Sequence, residues 1–221
     1  MINLTFFQKS MIVGILLSDG NIEKRKGWNP RIRIEHSFKN FNYIWFVFNE
    51  LSTLINTFPL LIKRKFKSKY FYSLAFRTRQ LSCLNEMYDL FYDTNKKEKV
   101  SGAYAIKLIK YEIFYYINYI SLAFWIMGDG SKRGRGLVLC TDSFSLKDII
   151  LLMNILKIKF DIDSTIEFLA YAPYSISLED RKTILNNKKK IARIIINKKN
   201  LDKVREKIKP FFTKDFLYKI N

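Results

Sequence analysis

The sequence predicts an α+β fold made of two pseudo-symmetric halves, each with the element order helix, two strands, helix, two strands, helix. Three observations lead to this prediction. Two apolar segments of the same character occur about half a chain apart, the stretch 72–92 is repeated as 192–212, and the segments between them alternate between strand-like and helix-like spacing of apolar residues.

The first helix of each half is predicted from an apolar run that ends in Asp-Gly. The runs are MIVGILLSDG (11–20) and SLAFWIMGDG (121–130), and their carboxylates are Asp19 and Asp129. An apolar helix in each half is expected to lie at the interface between the halves, because neither has a wet side. Packed side by side, the two helices would bring Asp19 and Asp129 together.

Small residues in both segments favour close packing of these two helices. Gly14 and Ser18 are four positions apart, and Ala123 and Gly128 are the small residues of the other segment. Phe124 is expected to lie away from the closest crossing, because a large side chain there would separate the helices.

The strands and second helices follow in order. Residues 31–35, RIRIE, alternate strictly between polar and apolar, as a strand with one wet face does. Lysines alternate in the same way over 63–69. Apolar residues recur at helical spacing over 41–56 and, in the second half, over 146–158.

The last strand and helix of each half are predicted from the gapless repeat at an offset of 120 positions (192 against 72). Residues 93–119 form an extra segment with a predicted helix over 103–116, and 171–189 are predicted to be a loop-rich insertion. We therefore divide the chain into a first half (1–100), a connecting segment (101–119) and a second half (120–221).

The charge of the chain points to a polyanionic partner. There are 39 basic and 20 acidic residues, which gives a net charge of +19 and makes nucleic acid the first candidate. A generic basic surface or a membrane-surface protein is the alternative. No apolar run is long enough to span a membrane, and the N-terminus predicts no targeting signal. Two cysteines in unrelated contexts indicate a reducing compartment.

Two adjacent carboxylates are costly unless a cation lies between them. In a protein with a polyanionic partner, a divalent metal shared with substrate phosphates meets this need and predicts metal-assisted hydrolysis of phosphodiesters. The alternative is that each Asp only begins a turn before a glycine at the end of a helix. The occurrence of the Asp-Gly pair at two matching places favours the metal site.

The segments 12–20 and 122–130 resemble the paired LAGLIDADG motifs of single-chain homing endonucleases. Residues 90–100 and 208–221 resemble the lysine-bearing segments that close each half in that family. The resemblance implies two αββαββα halves whose four-stranded antiparallel sheets form a saddle over the DNA major groove, joined by the two packed motif helices.

The resemblance also implies roles for residues at the helix ends. Asp19 and Asp129 match the acidic positions that bind metal and help to generate the attacking hydroxide. The backbone carbonyls of Ser18 and Gly128 would add metal ligands. Glu35 and Asp142 match a second layer that organises water, with a surface salt bridge as the alternative for such acids.

Two lysines match the basic positions near the cleavage centre, Lys97 and Lys219. Lys96 and Lys99 compete with Lys97, because Lys99 is the residue that pairs with Lys219 at the offset of 120 (219 against 99). His36 falls on the opposite strand face from Glu35 and is interpreted as structural.

The wet strand faces and nearby basic residues are predicted to contact DNA, since arginine fits guanine edges and lysine meets phosphates. The candidates are Arg31, Arg33, Lys63, Lys65, Lys67, Arg77 and Arg79 in the first half and Lys132, Arg133, Arg135, Lys190, Arg193 and Lys198 in the second.

The predicted function is a site-specific, metal-dependent DNA endonuclease. Its target would be long, double-stranded and non-palindromic, because the halves differ. We expect a monomer that uses Mg²⁺, with Mn²⁺ as a substitute, and that has no membrane partner. Abundant Lys, Asn, Ile, Phe and Tyr fit an A/T-rich organellar genome, with the mitochondrion preferred and the plastid as the alternative. Two other classes remain open: a maturase that binds intron RNA without cleavage, and a structural nucleic-acid protein.

Overall fold

The computed structural model describes residues 2–92, 107–170 and 190–221. In the first half the elements are α1 (Phe6–Leu17), β1 (Asn21–Glu23), β2 (Arg31–Ser37), α2 (Phe41–Glu50), β3 (Leu60–Phe66), β4 (Lys69–Arg77) and α3 (Asn85–Phe91). In the second half they are α4 (Tyr119–Asp129), β5 (Gly130–Arg133), β6 (Gly136–Leu139), α5 (Leu146–Phe160), β7 (Ser164–Ala170), β8 (Lys190–Ile196) and α6 (Lys198–Ile208). The α+β class and the αββαββα order of both halves are confirmed.

Each half contains one four-stranded antiparallel sheet. The strand orders are β1-β2-β4-β3 and β5-β6-β8-β7, so the two sheets have the same topology. In both, the second and fourth strands of the half lie in the centre. This identity of order is the structural counterpart of the sequence repeat.

Each sheet has a covered face against the helices and an open face. In β2, Ile32 and Ile34 are buried on the covered face, whereas Arg31, Arg33 and Glu35 lie on the open face. Helix α2 packs against β2 and β4, and α5 and α6 pack against the second sheet. In the second sheet the buried residues Leu137, Leu139, Ile194 and Ile196 mark the covered face.

Helices α1 and α4 pack against each other at the junction of the halves. Each begins with a capping box, formed by Thr5 with Gln8 and by Asn118 with Ser121. Residues 11–17 of α1 and 121–127 of α4 are all buried, which explains why neither helix has the polar stripe of a surface helix. The two helices form the centre of one hydrophobic core that draws residues from both halves.

The crossing of α1 and α4 leaves no room for side chains at two glycines. A Cβ atom at Gly14 would lie 2.3 Å from the backbone oxygen of Ser121 and 2.7 Å from Cβ of Phe124. A Cβ atom at Gly128 would lie 2.2 Å from Oγ of Ser18. Each contact therefore pairs a glycine of one helix with a larger residue of the other.

The expected position of Phe124 is wrong. Phe124 lies at the crossing, opposite Gly14, and is fully buried, with its ring against Phe7, Tyr43 and Phe46. The helices remain close because the residue opposite the Phe124 backbone is Gly14, which contributes no side chain. The aromatic ring projects away from the crossing into the first half.

The connecting segment differs from its prediction. Of the helix expected over 103–116, residues 103–106 lie outside the described part, 107–110 are not helical, and Tyr111–Tyr115 form a 3-10 helix. The predicted insertion at 171–189 also lies outside the described residues. No helix among the described residues is long and apolar enough to cross a membrane.

The contact between Ser18 and Gly128 can be tested by adding a methyl group at position 128 and removing the side chain at position 18. Gly128→Ala is expected to destabilise the protein by roughly 1–3 kcal/mol, because the new methyl group overlaps Ser18. Adding Ser18→Gly removes both overlapping atoms, so the double variant is expected to regain most of the loss in thermal unfolding.

Gly14→Ala is the matched control for these substitutions. Its Cβ meets backbone at Ser121, which no side-chain change relieves, so Ser18→Gly is not expected to rescue it. If the losses from Gly128→Ala and Ser18→Gly were additive in the double variant, the two residues would not be in contact.

Candidate functional site

The two carboxylates predicted to meet, Asp19 and Asp129, lie at the adjacent ends of α1 and α4. A Cβ atom at Gly128 would lie 3.5 Å from Oδ2 of Asp19, which shows how closely the first carboxylate approaches the end of the second helix. The side chain of Asp19 is 44% exposed, whereas Asp129 is more deeply enclosed. The packing of the helices therefore forces one carboxylate against another.

Burial and the neighbouring carboxylate both change the pKa of Asp129. Burial, with the charge of Asp19 as the next contribution, raises the pKa of Asp129 from 3.8 to about 7. Lys107 and Lys219 act in the opposite direction, and Asp142 adds to the rise. In the absence of a bound cation, the ionised form of Asp129 is thus held at a cost in free energy.

A lysine lies beneath the end of each motif helix; Lys219 is buried and Lys107 is partly buried. Nζ of Lys219 donates to the backbone oxygens of Ile126, Met127 and Gly128 at 3.3, 2.6 and 3.2 Å. Nζ of Lys107 donates to the backbone oxygens of Leu16, Ser18 and Gly20 at 2.9, 3.3 and 2.6 Å, respectively. Burial lowers the pKa of each lysine to about 8, while the two aspartates oppose that change.

These lysines satisfy carbonyl groups that a helix end leaves without partners. An ammonium group at a helix C-terminus also interacts favourably with the helix dipole. Each lysine has three N–H donors and three carbonyl acceptors, so its immediate effect is to fix the backbone that carries the aspartate.

Sequence reasoning missed Lys107. Lys97, Lys96 and Lys99 lie outside the described residues, so those expectations stay predictions, but the position equivalent to Lys219 is occupied by Lys107. Lys107 is 112 positions before Lys219 (219 against 107), close to the offset of 110 between the aspartates (129 against 19). The offset of 120, taken from the last strands, pointed to a different lysine.

The donor atoms at this site suit a hard divalent cation. They are two carboxylates and nearby backbone oxygens, including those of Ser18 and Gly128, which also accept from the lysines. Among the described residues no group of three or more His, Cys, Asp or Glu forms a complete cage. A cation here would therefore take its remaining ligands from water and phosphate, as Mg²⁺ commonly does.

Glu35 and Asp142, the predicted second layer, are both bound to arginine. Glu35 pairs with Arg64 and with Arg33 and accepts from Oγ of Ser73 at 2.7 Å. Its hydrogen bond with Arg64, together with those from Ser73 and Arg33, lowers the pKa of Glu35 to about 2. Asp142 accepts from Arg193 through two bonds of 2.7 and 2.6 Å. The salt-bridge alternative thus describes both acids in the free protein.

His36 occupies a position that sequence reasoning did not connect with the carboxylates. It lies on the covered face, as predicted, yet its Nε2 is 3.4 Å from Oδ2 of Asp19. The signal that was missed is the position of His36 at the end of β2, where the strand comes level with the end of α1.

The open face of the first sheet carries part of the predicted basic set. Arg33 lies opposite Arg77 in neighbouring strands, and Arg31 pairs with Glu23 at 2.8 Å. Arg79 lies beyond β4 and donates to the oxygen of Thr53. Lys67, with a φ of 53°, lies in the turn between β3 and β4.

Lys63 and Lys65 do not share that face. Cross-strand pairing places them on the side of Tyr72 and Tyr70, and Nζ of Lys63 lies 4.1 Å from the centre of the Tyr70 ring. The residue of β3 that reaches the open face is Arg64, through its pair with Glu35. The alternation of residues along β3 was predicted correctly, but Lys63 and Lys65 were assigned to the open face and lie on the opposite face of the sheet.

In the second sheet, Arg133 and Arg193 lie on the open face beside Glu167, which pairs with Arg133. Lys132 lies opposite Leu137, on the other side of the sheet, and Arg135 lies in the turn between β5 and β6. Lys190 is the first residue of β8, and Lys198 is the first residue of α6.

Comparison with known proteins assigns this architecture to one family. A sequence model described as the LAGLIDADG DNA endonuclease family matches residues 9–185. Cytochrome b mRNA maturase bI2 of Saccharomyces cerevisiae is 38% identical over 162 residues, which cover 71% of this chain and 37% of the maturase. The maturase bI2 of Debaryomyces hansenii is 30% identical over 160 residues, covering 70% of this chain and 57% of that protein. The chain thus spans about a third to just over half of their lengths.

Two further relatives match along almost the whole chain. DNA endonuclease I-ChuI of Chlamydomonas applanata is 26% identical over 230 residues, covering 99% of this chain and 96% of the endonuclease. The structure of the homing endonuclease I-WcaI bound to its DNA recognition sequence superposes with a TM-score of 0.81 at 22% identity, covering 100% of this chain and 88% of that one. The last similarity establishes the fold.

The role of Lys107 at the end of α1 can be tested against Lys97. Lys107→Met is expected to lower the free energy of unfolding by roughly 1–3 kcal/mol, because three backbone oxygens lose their donor. Lys97→Met is expected to leave urea unfolding nearly unchanged. A larger loss of stability in Lys97→Met than in Lys107→Met would indicate that Lys97, and not Lys107, binds the end of α1.

The raised pKa of Asp129 predicts how stability without metal depends on pH. Asp129 keeps its proton up to about pH 7 in the folded state but loses it near pH 3.8 in the unfolded state. The folded state therefore becomes less stable, relative to the unfolded state, as pH rises between these two values. Asp129→Asn is expected to raise the melting temperature in EDTA by several degrees more at pH 8 than at pH 5.

Asp89→Asn, at an exposed position on α3, is the control and should give the same small difference at both pH values. If Asp129→Asn raised the melting temperature equally at both pH values, the result would contradict the enclosed position of this carboxylate.

Proposed function

The chain belongs to the LAGLIDADG DNA endonuclease family, and from this premise we propose that it is a homing endonuclease. It would hydrolyse phosphodiesters in both strands of a long, asymmetric DNA target with the help of divalent metal. The observation that carries the proposal is the meeting of Asp19 and Asp129 at the ends of α1 and α4, between two basic open faces.

The carboxylates of Asp19 and Asp129 are proposed to hold the metal, with the backbone oxygens of Ser18 and Gly128 beside them. When bound, Mg²⁺ or Mn²⁺ supplies positive charge that offsets the paired carboxylates and the scissile phosphates. The raised pKa of Asp129 supports this role, because a cation favours the ionised form that burial and the charge of Asp19 disfavour.

Lys107 and Lys219 are proposed to hold the aspartates in place and to add positive charge near the scissile phosphates. Their bonds to the last carbonyls of each motif helix limit movement of Ser18 and Gly128. This proposal gives Lys107 the role that the family resemblance suggested for Lys97. Glu35 and Asp142 are proposed to organise water once DNA phosphates or bases compete for their arginines.

The open faces are proposed to contact the DNA. The set is the predicted one with Arg64 added, and with Lys63, Lys65 and Lys132 moved to its edge because they lie on the other sides of their sheets. In the free protein the acids Glu23, Glu35, Asp142 and Glu167 occupy several of these arginines. Binding is expected to weaken steeply as salt rises, since counterion release scales with the number of phosphate contacts.

The proposed organisation is a monomer with two halves, 1–100 and 120–221, joined by 101–119. Unequal halves fit a target without two-fold symmetry. We propose the mitochondrion as its location, because the two maturase relatives are named for cytochrome b mRNA, and these names favour it over the plastid.

Maturation of intron RNA is the second candidate function. It is favoured by the 38% identity to the yeast maturase, which exceeds the 26% identity to I-ChuI. Both aspartates are present here, whereas a protein that only binds RNA has no need of paired carboxylates above two lysines. A gel-shift assay with cytochrome b intron RNA against a structured RNA of equal length tests this activity separately.

Cleavage can be tested with a randomised DNA library and Mg²⁺, by sequencing the cut ends. The wild-type protein is expected to cut one long motif without two-fold symmetry. Asp19→Asn and Asp129→Asn are each expected to reduce the cleavage rate by at least 100-fold, because each removes a proposed metal ligand.

Asp89→Asn is the matched carboxylate variant away from the site and should cut as the wild type does. Absence of cleavage by folded wild-type protein with either Mg²⁺ or Mn²⁺ would contradict the endonuclease and favour the maturase. Retained cleavage in Asp19→Asn and Asp129→Asn would remove both carboxylates from the mechanism.

A further inference from the structure

His36 is the only histidine of the chain, and it lies where the two halves meet. Its side chain is 13% exposed. The ring makes edge contacts with Tyr43 of α2, at 5.3 Å between centres, and with Phe216 near the end of the second half, at 5.7 Å. These two aromatic rings restrict the orientation of the imidazole.

A neighbouring amide contacts one nitrogen of the ring and favours one tautomer. Nδ2 of Asn40 lies 3.0 Å from Nδ1 of His36. With the Asn40 amide in this orientation, its nitrogen donates to Nδ1, and this contact assigns the proton of the neutral ring to Nε2. The Asn40 side chain makes no capping bond at the start of α2, so it is available for this contact.

The protonated nitrogen faces Asp19. Nε2 is buried, has no well-aligned hydrogen-bond partner within the described part of the chain, and lies 3.4 Å from Oδ2 of Asp19. A buried donor without a partner is costly, whereas the Asp19 side chain is half-exposed and can rotate. A small rotation of the carboxylate converts this long contact into a hydrogen bond.

We infer that His36 is a positioning residue for Asp19, in a chain of contacts that runs from Asn40 through the imidazole to one carboxylate oxygen. The bond to Nε2 engages Oδ2 and leaves Oδ1 of Asp19 as the oxygen proposed to bind the cation. Outer contacts of this kind fix the orientation of carboxylate ligands and increase their affinity for metal.

This contact makes the two carboxylates unequal. The groups near Asp129 include the acid Asp142 and the thiol Cys140, and both lack the fixed N–H donor that His36 offers. A consequence, which rests on the proposed endonuclease function, is that loss of His36 slows cleavage of one DNA strand more than the other. Nicked DNA would then accumulate.

The contact itself can be tested in the metal-free protein without any DNA. Labelling with ¹⁵N-histidine gives signals from this single imidazole. We expect a protonated Nε2 and an unprotonated Nδ1, and a larger change of the Nε2 signal in Asp19→Asn than in the matched variant Asp129→Asn. Asn40→Ala is expected to increase the population protonated on Nδ1.

Addition of Mg²⁺ is expected to shift the Nε2 signal of the wild type and to have much less effect in Asp19→Asn. A proton on Nδ1 in the wild type, or equal changes in Asp19→Asn and Asp129→Asn, would overturn the inference. These outcomes do not depend on whether the protein cuts DNA, so they are separate from a failure of the proposed function.

Single-turnover cleavage then distinguishes positioning from packing. His36→Phe keeps an aromatic ring against Tyr43 and Phe216 but has no N–H, and is expected to raise the half-saturating Mg²⁺ concentration roughly 10-fold with DNA affinity unchanged. His36→Gln offers an amide N–H and is expected to recover most of this loss. Equal behaviour of the two variants, in Mg²⁺ dependence and in the ratio of strand cleavage rates, would indicate packing alone and would contradict the inference.

Discussion

The close contact between α1 and α4 is the constraint on which the rest of the structure depends. Gly14 and Gly128 each lie opposite a larger residue of the other motif segment. The backbones are so close there that a Cβ atom at either glycine would overlap its neighbour. The same contact joins the two halves into one core and brings Asp19 close to the end of the second helix. Stability of the interface and placement of the candidate site therefore share one cause.

The cost of this arrangement falls on the carboxylates. An apolar interface is a poor environment for two negative charges, which is why the pKa of Asp129 rises to about 7. Lys107 and Lys219 reduce this cost from below, while they satisfy the carbonyl groups of the helix ends. The site thus disfavours two ionised carboxylates, while hydrogen bonds from the two lysines hold the backbone that carries them. This combination is suited to binding a cation.

The open faces show a related balance of charge. Arginines that would otherwise repel one another are held by acids on the same face, as in the pairs of Glu35 with Arg64 and Asp142 with Arg193. Such partly exposed pairs contribute little to stability, so a polyanion can replace the acid at small cost. This explains how a strongly basic protein keeps these arginine side chains ordered in the free state.

The sequence by itself determined the element order, the repeat and the meeting of Asp19 with Asp129, because these follow from the spacing of apolar residues along one chain. Family resemblance added the sheet arrangement. Only the tertiary structure decided that Lys107 lies under α1, that Arg64 and not Lys63 reaches the open face, that Phe124 fits at the crossing and that His36 contacts Asp19. Each of these depends on strand register or on packing between halves, where a shift of one residue turns a side chain to the other face and no local pattern records the partner.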